Sequence, residues 1–129
     1  MIYLDSAAVV KLVRREPSTA ALVSWLQARS GVPLVSSTLV EVEVPRALRR
    51  TVPGALPAVP ATLARLYRLE MDSTVRAAAA SFADPHLRTL DAIHLATAMQ
   101  IAAQLQSFVT YDGRLLASAQ LAGLPVASP

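Results

Sequence analysis

Short apolar runs alternate with amphipathic or alanine-rich segments along the whole chain. Ile2-Tyr3-Leu4 is the first run, and it stops abruptly at Asp5-Ser6 before residues 7–15 of helical composition. The pattern predicts a strand and then a helix, with an acid at the strand's carboxyl end. Glu16-Pro17-Ser18 breaks that helix, and Ser18 is placed to cap a second one reaching about residue 29. Its apolar stripe is Ala21, Leu22, Trp25 and Leu26, with Trp25 read as core. Ser30-Gly31 is a turn, and Pro33-Leu34-Val35 is the next short strand. Ser36-Ser37 then caps a helix over residues 38–50, inside which Pro45 removes a donor, frees the carbonyl of Glu41 and predicts a kink.

Residues 51–60 hold Pro53, Gly54, Pro57 and Pro60 and read as a loop, with Pro60 opening a helical segment that reaches about residue 67. A minor strand is expected at 69–71, followed by a helix over 74–82 capped by Asp72 or Ser73. Asp84-Pro85 is a turn. Thr89 is placed to cap a long helix over 90–104. Residues 108–111 are rich in β-formers and end at Asp112, before a short helix to about residue 122 that Gly123 stops. Residues 125–127 suit a final edge strand. Strands that alternate with helices and are themselves apolar throughout imply a parallel sheet covered on both faces.

The 129 residues suit one domain, and 53% hydrophobic content supplies its core. The longest apolar-looking stretch, 92–109, carries His94, Thr97, Gln100, Gln104 and Gln106, which argues for a buried helix and against a membrane span. The first residues lack the basic leader of a signal peptide, so a soluble cytoplasmic protein is expected. With no Cys, disulfides and thiolate metal sites are excluded, and any metal must take oxygen ligands or a histidine. Eleven Arg and the single Lys11 against nine acids leave a formal charge of +3, a mild excess compatible with a phosphate-bearing partner. The acids are the scarcer and more informative set.

In an open parallel sheet the ligand site lies beyond the carboxyl ends of the strands. Asp5 and Asp112 both end strands, Asp91 lies in the first turn after Thr89, and Glu41 and Glu43 lie early in the helix after Ser37. Topology therefore allows four carboxylates from distant parts of the chain to converge on one cleft. Two carboxylates ~4 Å apart repel by about 4 kcal/mol at a protein surface, so such a cluster calls for a cation. An all-oxygen site suits Mg²⁺ or Mn²⁺, which can serve in-line attack on a phosphodiester. Glu41 and Glu43 are about 200° apart around a helix, so one at most should face the cleft.

Each of these residues also has a plainer reading. Asp91 complements a helix dipole, and Asp112-Gly113 is a common turn pair. His94 lies one turn after Asp91 and could share a metal with it, but a helix histidine hydrogen-bonded near the core is the preferred reading. Arg46, Arg49 and Arg50 complement the carboxyl end of their helix, with contact to RNA as the alternative. Asp5 is the hardest to explain by folding alone.

Four blocks, MIYLDSAAVVKL, SSTLVEVEVPRALRR, LRTLDAIHLATA and FVTYDGRLLASAQLAGLPV, resemble the PIN-domain ribonucleases, specifically the VapC-type toxins of bacterial toxin–antitoxin systems. They stand in that family's order and spacing and cover well over half of the chain. The resemblance implies a three-layer α/β/α fold with a central parallel sheet. It also implies a Mg²⁺- or Mn²⁺-dependent endoribonuclease acting on structured RNA such as tRNA or rRNA. By position the family's metal-binding catalytic quartet falls on Asp5, Glu43, Asp91 and Asp112, with Ser6 and Thr110 as supporting hydroxyls. Glu43 is preferred because the family's glutamate precedes Val-x-Arg-Ala, here Val44-Pro45-Arg46-Ala47, while Glu41 is a second acid outside the pattern. A homodimer and a cognate antitoxin that blocks the acidic cleft are implied as well.

Two other chemistries of a strand-end Asp fit less well. A phosphatase with an Asp nucleophile typically wants a second acid two residues on, where this chain has Ala7. A phosphoacceptor signalling module wants paired acids after the first strand and a lysine near a later strand end, but the one lysine is Lys11. A catalytically dead PIN domain kept for protein binding is opposed by the intact quartet.

Overall fold

The structure, a computed structural model, describes residues 1–129. Strands β1 (Ile2–Leu4), β2 (Leu34–Ser37), β3 (Tyr67–Leu69), β4 (Ser107–Val109) and β5 (Val126–Ala127) form one sheet in the order β3-β2-β1-β4-β5, every pair parallel. Helices α1 (Ser6–Val13), α2 (Thr19–Gln27), α3 (Val40–Thr51), α4 (Val59–Leu63), α5 (Ser73–Ser81), α6 (Thr89–Met99) and α7 (Gly113–Leu121) connect them. The alternation of β1 assigns the layers. Ile2 and Leu4 point into a core with Ala8, Leu22, Val44 and Leu48 of α1–α3, while Tyr3 points the other way, against Leu95, Phe108 and Leu115 of α6, β4 and α7. The result is the α/β/α sandwich that the apolar pattern implied.

Several local details differ from the sequence reading. Ser36 and Ser37 belong to β2 and do not cap α3; the Ser36 hydroxyl donates to the Leu4 carbonyl at 2.6 Å across the sheet. Helix α3 starts at Val40, two residues later than expected, and contains Pro45 as expected. Residues 53–58 form a 3₁₀ helix in the segment expected to be a loop, and β3 lies two residues earlier than expected, at 67–69. Ser18 precedes α2 without a side-chain capping bond, and the residue before α6 is Arg88, with Thr89 already helical. Helix α6 ends at Met99, ahead of a separate 3₁₀ turn over Ala102–Gln104. Strand β4 ends at Val109, so Asp112 stands three residues beyond it. Trp25 is half-buried against the core rather than inside it, with the Arg29 guanidinium 3.9 Å from its ring centroid. The stop at Gly123 is as expected: with φ +78° it lets Leu124 N–H reach the Ala119 carbonyl at 3.0 Å and its own N–H reach that of Gln120 at 2.9 Å.

Helix α6 is buried on most of its circumference, which explains its lack of an amphipathic stripe. No helix is long and apolar enough to cross a membrane. The chain order reverses at β1, which pairs with β2 on one side and β4 on the other. A crevice therefore opens at the carboxyl ends of β1 and β4.

Candidate active site

Asp5 leaves β1 directly and is the N-cap of α1, where its Oδ1 accepts from the Ala8 N–H at 2.8 Å. Its Oδ2 accepts from the Thr110 hydroxyl at 2.6 Å, and the residue is only 4% exposed. Burial pushes the Asp5 carboxyl above its ordinary range, and the Thr110 and Ala8 hydrogen bonds offset part of that rise. Thr110 Oγ1 also accepts from the Asp112 N–H at 3.1 Å, so one hydroxyl ties the end of β1 to the end of β4.

Asp112 is the N-cap of α7, its Oδ1 accepting from the N–H groups of Arg114 and Leu115. The Leu115 N–H leads in holding its carboxyl below the usual range, helped by the Arg114 N–H and the Arg88 and Arg114 charges, against the partial burial. Asp91 lies in the first turn of α6. The Arg88 guanidinium joins the two acids, with Nε 2.7 Å from Asp91 Oδ2 and Nη2 2.7 Å from Asp112 Oδ2.

Glu43 projects from α3. Its Oε2 accepts from the Ser6 hydroxyl and lies 2.8 Å from His94 Nε2. Burial raises the Glu43 carboxyl, but the hydrogen bonds from His94 and Ser6, with the Arg88 charge, outweigh it and hold the group low. Glu41 goes elsewhere: it is exposed and pairs with Arg68 of β3 at 2.7 Å. The two glutamates thus part as the helical geometry requires.

Asp5, Glu43, Asp91 and Asp112 all line one open cleft of about 460 Å³, together with Arg46 and Arg50; Arg49 is not among its walls. No three acids or histidines stand close enough to make a ready-formed ligand cluster. The set is therefore looser than the mutual-repulsion argument supposed, and Arg88 already supplies one cation to it. Ser6 and Thr110 hold Glu43 and Asp5 respectively. Sequence reasoning missed Arg88, although its i,i+3 spacing to Asp91 was a readable sign. His94 is the buried, hydrogen-bonded helix histidine that was expected, bonded to the Tyr3 hydroxyl in the core and also to the cleft carboxylate of Glu43.

The PIN domain family model matches residues 2–124. Ribonuclease VapC35 of Mycobacterium tuberculosis is 48% identical over 131 residues, spanning 100% of this chain and 97% of the relative. Ribonuclease VapC46 of the same species is 44% identical over 128 residues, spanning 99% and 97%. Among solved structures, FitAcB from Neisseria gonorrhoeae superposes with a TM-score of 0.73 at 23% identity, over 100% of this chain and 98% of that one. VapBC2 from Rickettsia felis, bound to a DNA fragment from their promoter, gives 0.74 at 14% identity over 98% of both. At such low identity these two likenesses bear on the fold, and they agree with the parallel-stranded sandwich described above. The match to the family model over residues 2–124 and to a relative across the whole chain carries more: this chain belongs to the PIN-domain family, as a member of its VapC type.

Proposed function

We propose that this chain is a Mg²⁺- or Mn²⁺-dependent endoribonuclease and the toxin of a toxin–antitoxin pair. In this reading it cleaves structured RNA such as tRNA or rRNA in the cytoplasm, and so restrains translation and growth until its antitoxin neutralises it. One observation carries the reading: four carboxylates from four separate segments line a single cleft with Arg46 and Arg50. The relatives' name, ribonuclease VapC, supports it, and the VapBC2 neighbour supports an antitoxin partner. A homodimer is part of the same reading, on the family resemblance alone.

The donor set fits a hard divalent ion. It is all oxygen, and Asp91 and Asp112 already face one shared cation, the Arg88 guanidinium, at 2.7 Å each. Mg²⁺ keeps several waters and needs only one or two direct carboxylates, which suits acids that are near but not clustered. Asp5, Glu43, Asp91 and Asp112 would hold the ion, which supplies charge neutralisation and a water of lowered pKa for phosphodiester hydrolysis. The chain's own groups do the rest. Thr110 and the Ala8 N–H fix both oxygens of Asp5. Ser6 and His94 grip one oxygen of Glu43 and keep the group ionised. Arg46 and Arg50 offer the RNA backbone two cations on the wall of the cleft.

The test is to incubate the purified chain with tRNA and rRNA and to map the ends produced, with Mn²⁺, with EDTA, and for Asp91→Asn. Cleavage that requires Mn²⁺ and Asp91 is expected; cleavage indifferent to both would overturn the reading. Mn²⁺ at about ten times its dissociation constant should add about 1.4 kcal/mol to wild-type stability, and less to Asp5→Asn. Equal thermal shifts would count against a metal cleft built on Asp5.

A further inference from the structure

Helices α3 and α6 pack on opposite faces of the sheet, yet they are joined at its carboxyl edge by His94 of α6 and Glu43 of α3. His94 is 2% exposed, so its ring is held from every side. Its Nε2 lies 2.8 Å from Glu43 Oε2 and 3.0 Å from the Ser6 hydroxyl, which donates to the same Oε2. Its Nδ1 lies 2.8 Å from the Tyr3 hydroxyl. Tyr3 is fully buried on β1, stacked on Phe108 at 5.2 Å and 7° and edge-on to His94 at 5.9 Å and 78°.

The carboxylate oxygen has no hydrogen to give, so the Nε2 that faces it carries one; the Tyr3 hydroxyl meets Nδ1 as donor or as acceptor. In either case the line Tyr3 to His94 to Glu43 ends on one oxygen. Glu43 Oε1 receives no protein donor, while Oε2 receives two. A histidine kept for packing alone has no need to span from a core phenol to a cleft carboxylate.

We propose that His94, braced from behind by Tyr3, is the positioning residue that fixes the Glu43 carboxylate, occupying Oε2 and leaving Oε1 free for the cation of the cleft. This rests on the nuclease reading above. It also explains why Glu43 and not Glu41 takes the place in the cleft: α3 offers both acids, but the buried donor stands opposite only one. Outer partners of metal-holding carboxylates orient the donor atoms, and their loss typically weakens metal binding by one to two orders of magnitude.

The experiment is Mn²⁺ titration calorimetry on the wild type, His94→Gln, His94→Asn, Tyr3→Phe and Glu43→Gln, with circular dichroism as the check on folding. Gln places its amide nitrogen near the position of Nε2, whereas Asn places it near that of Nδ1. His94→Asn is expected to weaken Mn²⁺ binding about tenfold, while His94→Gln stays within about threefold of wild type. Tyr3→Phe keeps the ring stack and removes one oxygen, so it decides the matter if both His94 variants unfold; a loss of about threefold is expected. In the metal-free wild type, imidazole ¹⁵N spectra should show a hydrogen on Nε2 of His94, and its absence there would count against the grip on Glu43. A folded His94→Asn, or Tyr3→Phe, that binds Mn²⁺ like wild type while Glu43→Gln does not would overturn this inference alone. A wild type that binds no Mn²⁺ would overturn the nuclease reading and this inference with it.

Discussion

Thr110→Val removes one oxygen from a fully buried position and keeps nearly the same shape. That oxygen donates to Asp5 Oδ2 at 2.6 Å and accepts from the Asp112 N–H at 3.1 Å. A hydrogen bond to a buried charged group contributes about 1.5–3 kcal/mol, so with the second bond a loss of about 2–3 kcal/mol at neutral pH is expected. At about 2.1 cal/mol/K of unfolding entropy per residue over 129 residues, the melting midpoint should fall by about 7–11 °C. The pH dependence isolates the cause. Burial raises the folded-state pKa of Asp5, so the stability it contributes in acid is lost as pH climbs through that value. Thr110 limits the loss by bonding the ionised form; without it the folded pKa rises further and the decline continues to higher pH. Thermal melts at pH 4 and pH 7.5 should therefore show a smaller deficit in acid, tending toward about 1 kcal/mol as Asp5 takes up its proton and only a neutral hydrogen bond is missing. Thr110→Ser keeps the hydroxyl and should follow the wild-type pH profile. Equal deficits for Thr110→Val at both pH values would refute the assignment of an ionised Asp5 as the partner.

Glu43→Gln should abolish RNA cleavage while Glu41→Gln keeps most of it, because Glu41 is engaged with Arg68 outside the cleft; the reverse result in a cleavage assay would exchange their roles. Arg88→Gln frees Asp91 and Asp112 of a competing cation. Exposed pairs contribute under about 1 kcal/mol each, so Mn²⁺ should bind roughly three- to tenfold tighter by calorimetry with little change in melting. Weaker binding would show that Arg88 helps to build the site, and unchanged binding that it does not compete for it. In an Asp91→Asn background that keeps RNA intact, Arg46→Gln and Arg50→Gln should each weaken RNA binding and lower the slope of log K against log salt by about 0.7–0.9. A slope that does not move would remove those arginines from the RNA path.

Much of the fold was legible because its causes are local. Ile2-Tyr3-Leu4 and Phe108-Val109 are apolar on both sides, as strands sandwiched between helices must be, and Asp5, Asp72 and Gly123 mark helix ends by their own hydrogen-bonding or backbone chemistry. Where two local signals competed, the tertiary contact decided. Ser36 looks like a helix cap, but pairing with β1 draws it into β2, where its hydroxyl finds the Leu4 carbonyl. The stretch at 67–71 has weak strand character throughout, and its register was set by pairing Val35 with Tyr67.

What the residues dictated unaided was the sandwich, the alternation of strands and helices along the chain, and Asp5 at the end of β1, since periodicity and capping depend on neighbours in the chain. Which oxygens meet was decided only by folding. The grip of His94 on Glu43 joins residues 51 apart, that of Thr110 on Asp5 joins residues 105 apart, and the Arg88 bridge to Asp112 spans 24. Hydrogen bonds of that kind depend on distances of a few ångströms across layers, which no spacing along the chain encodes.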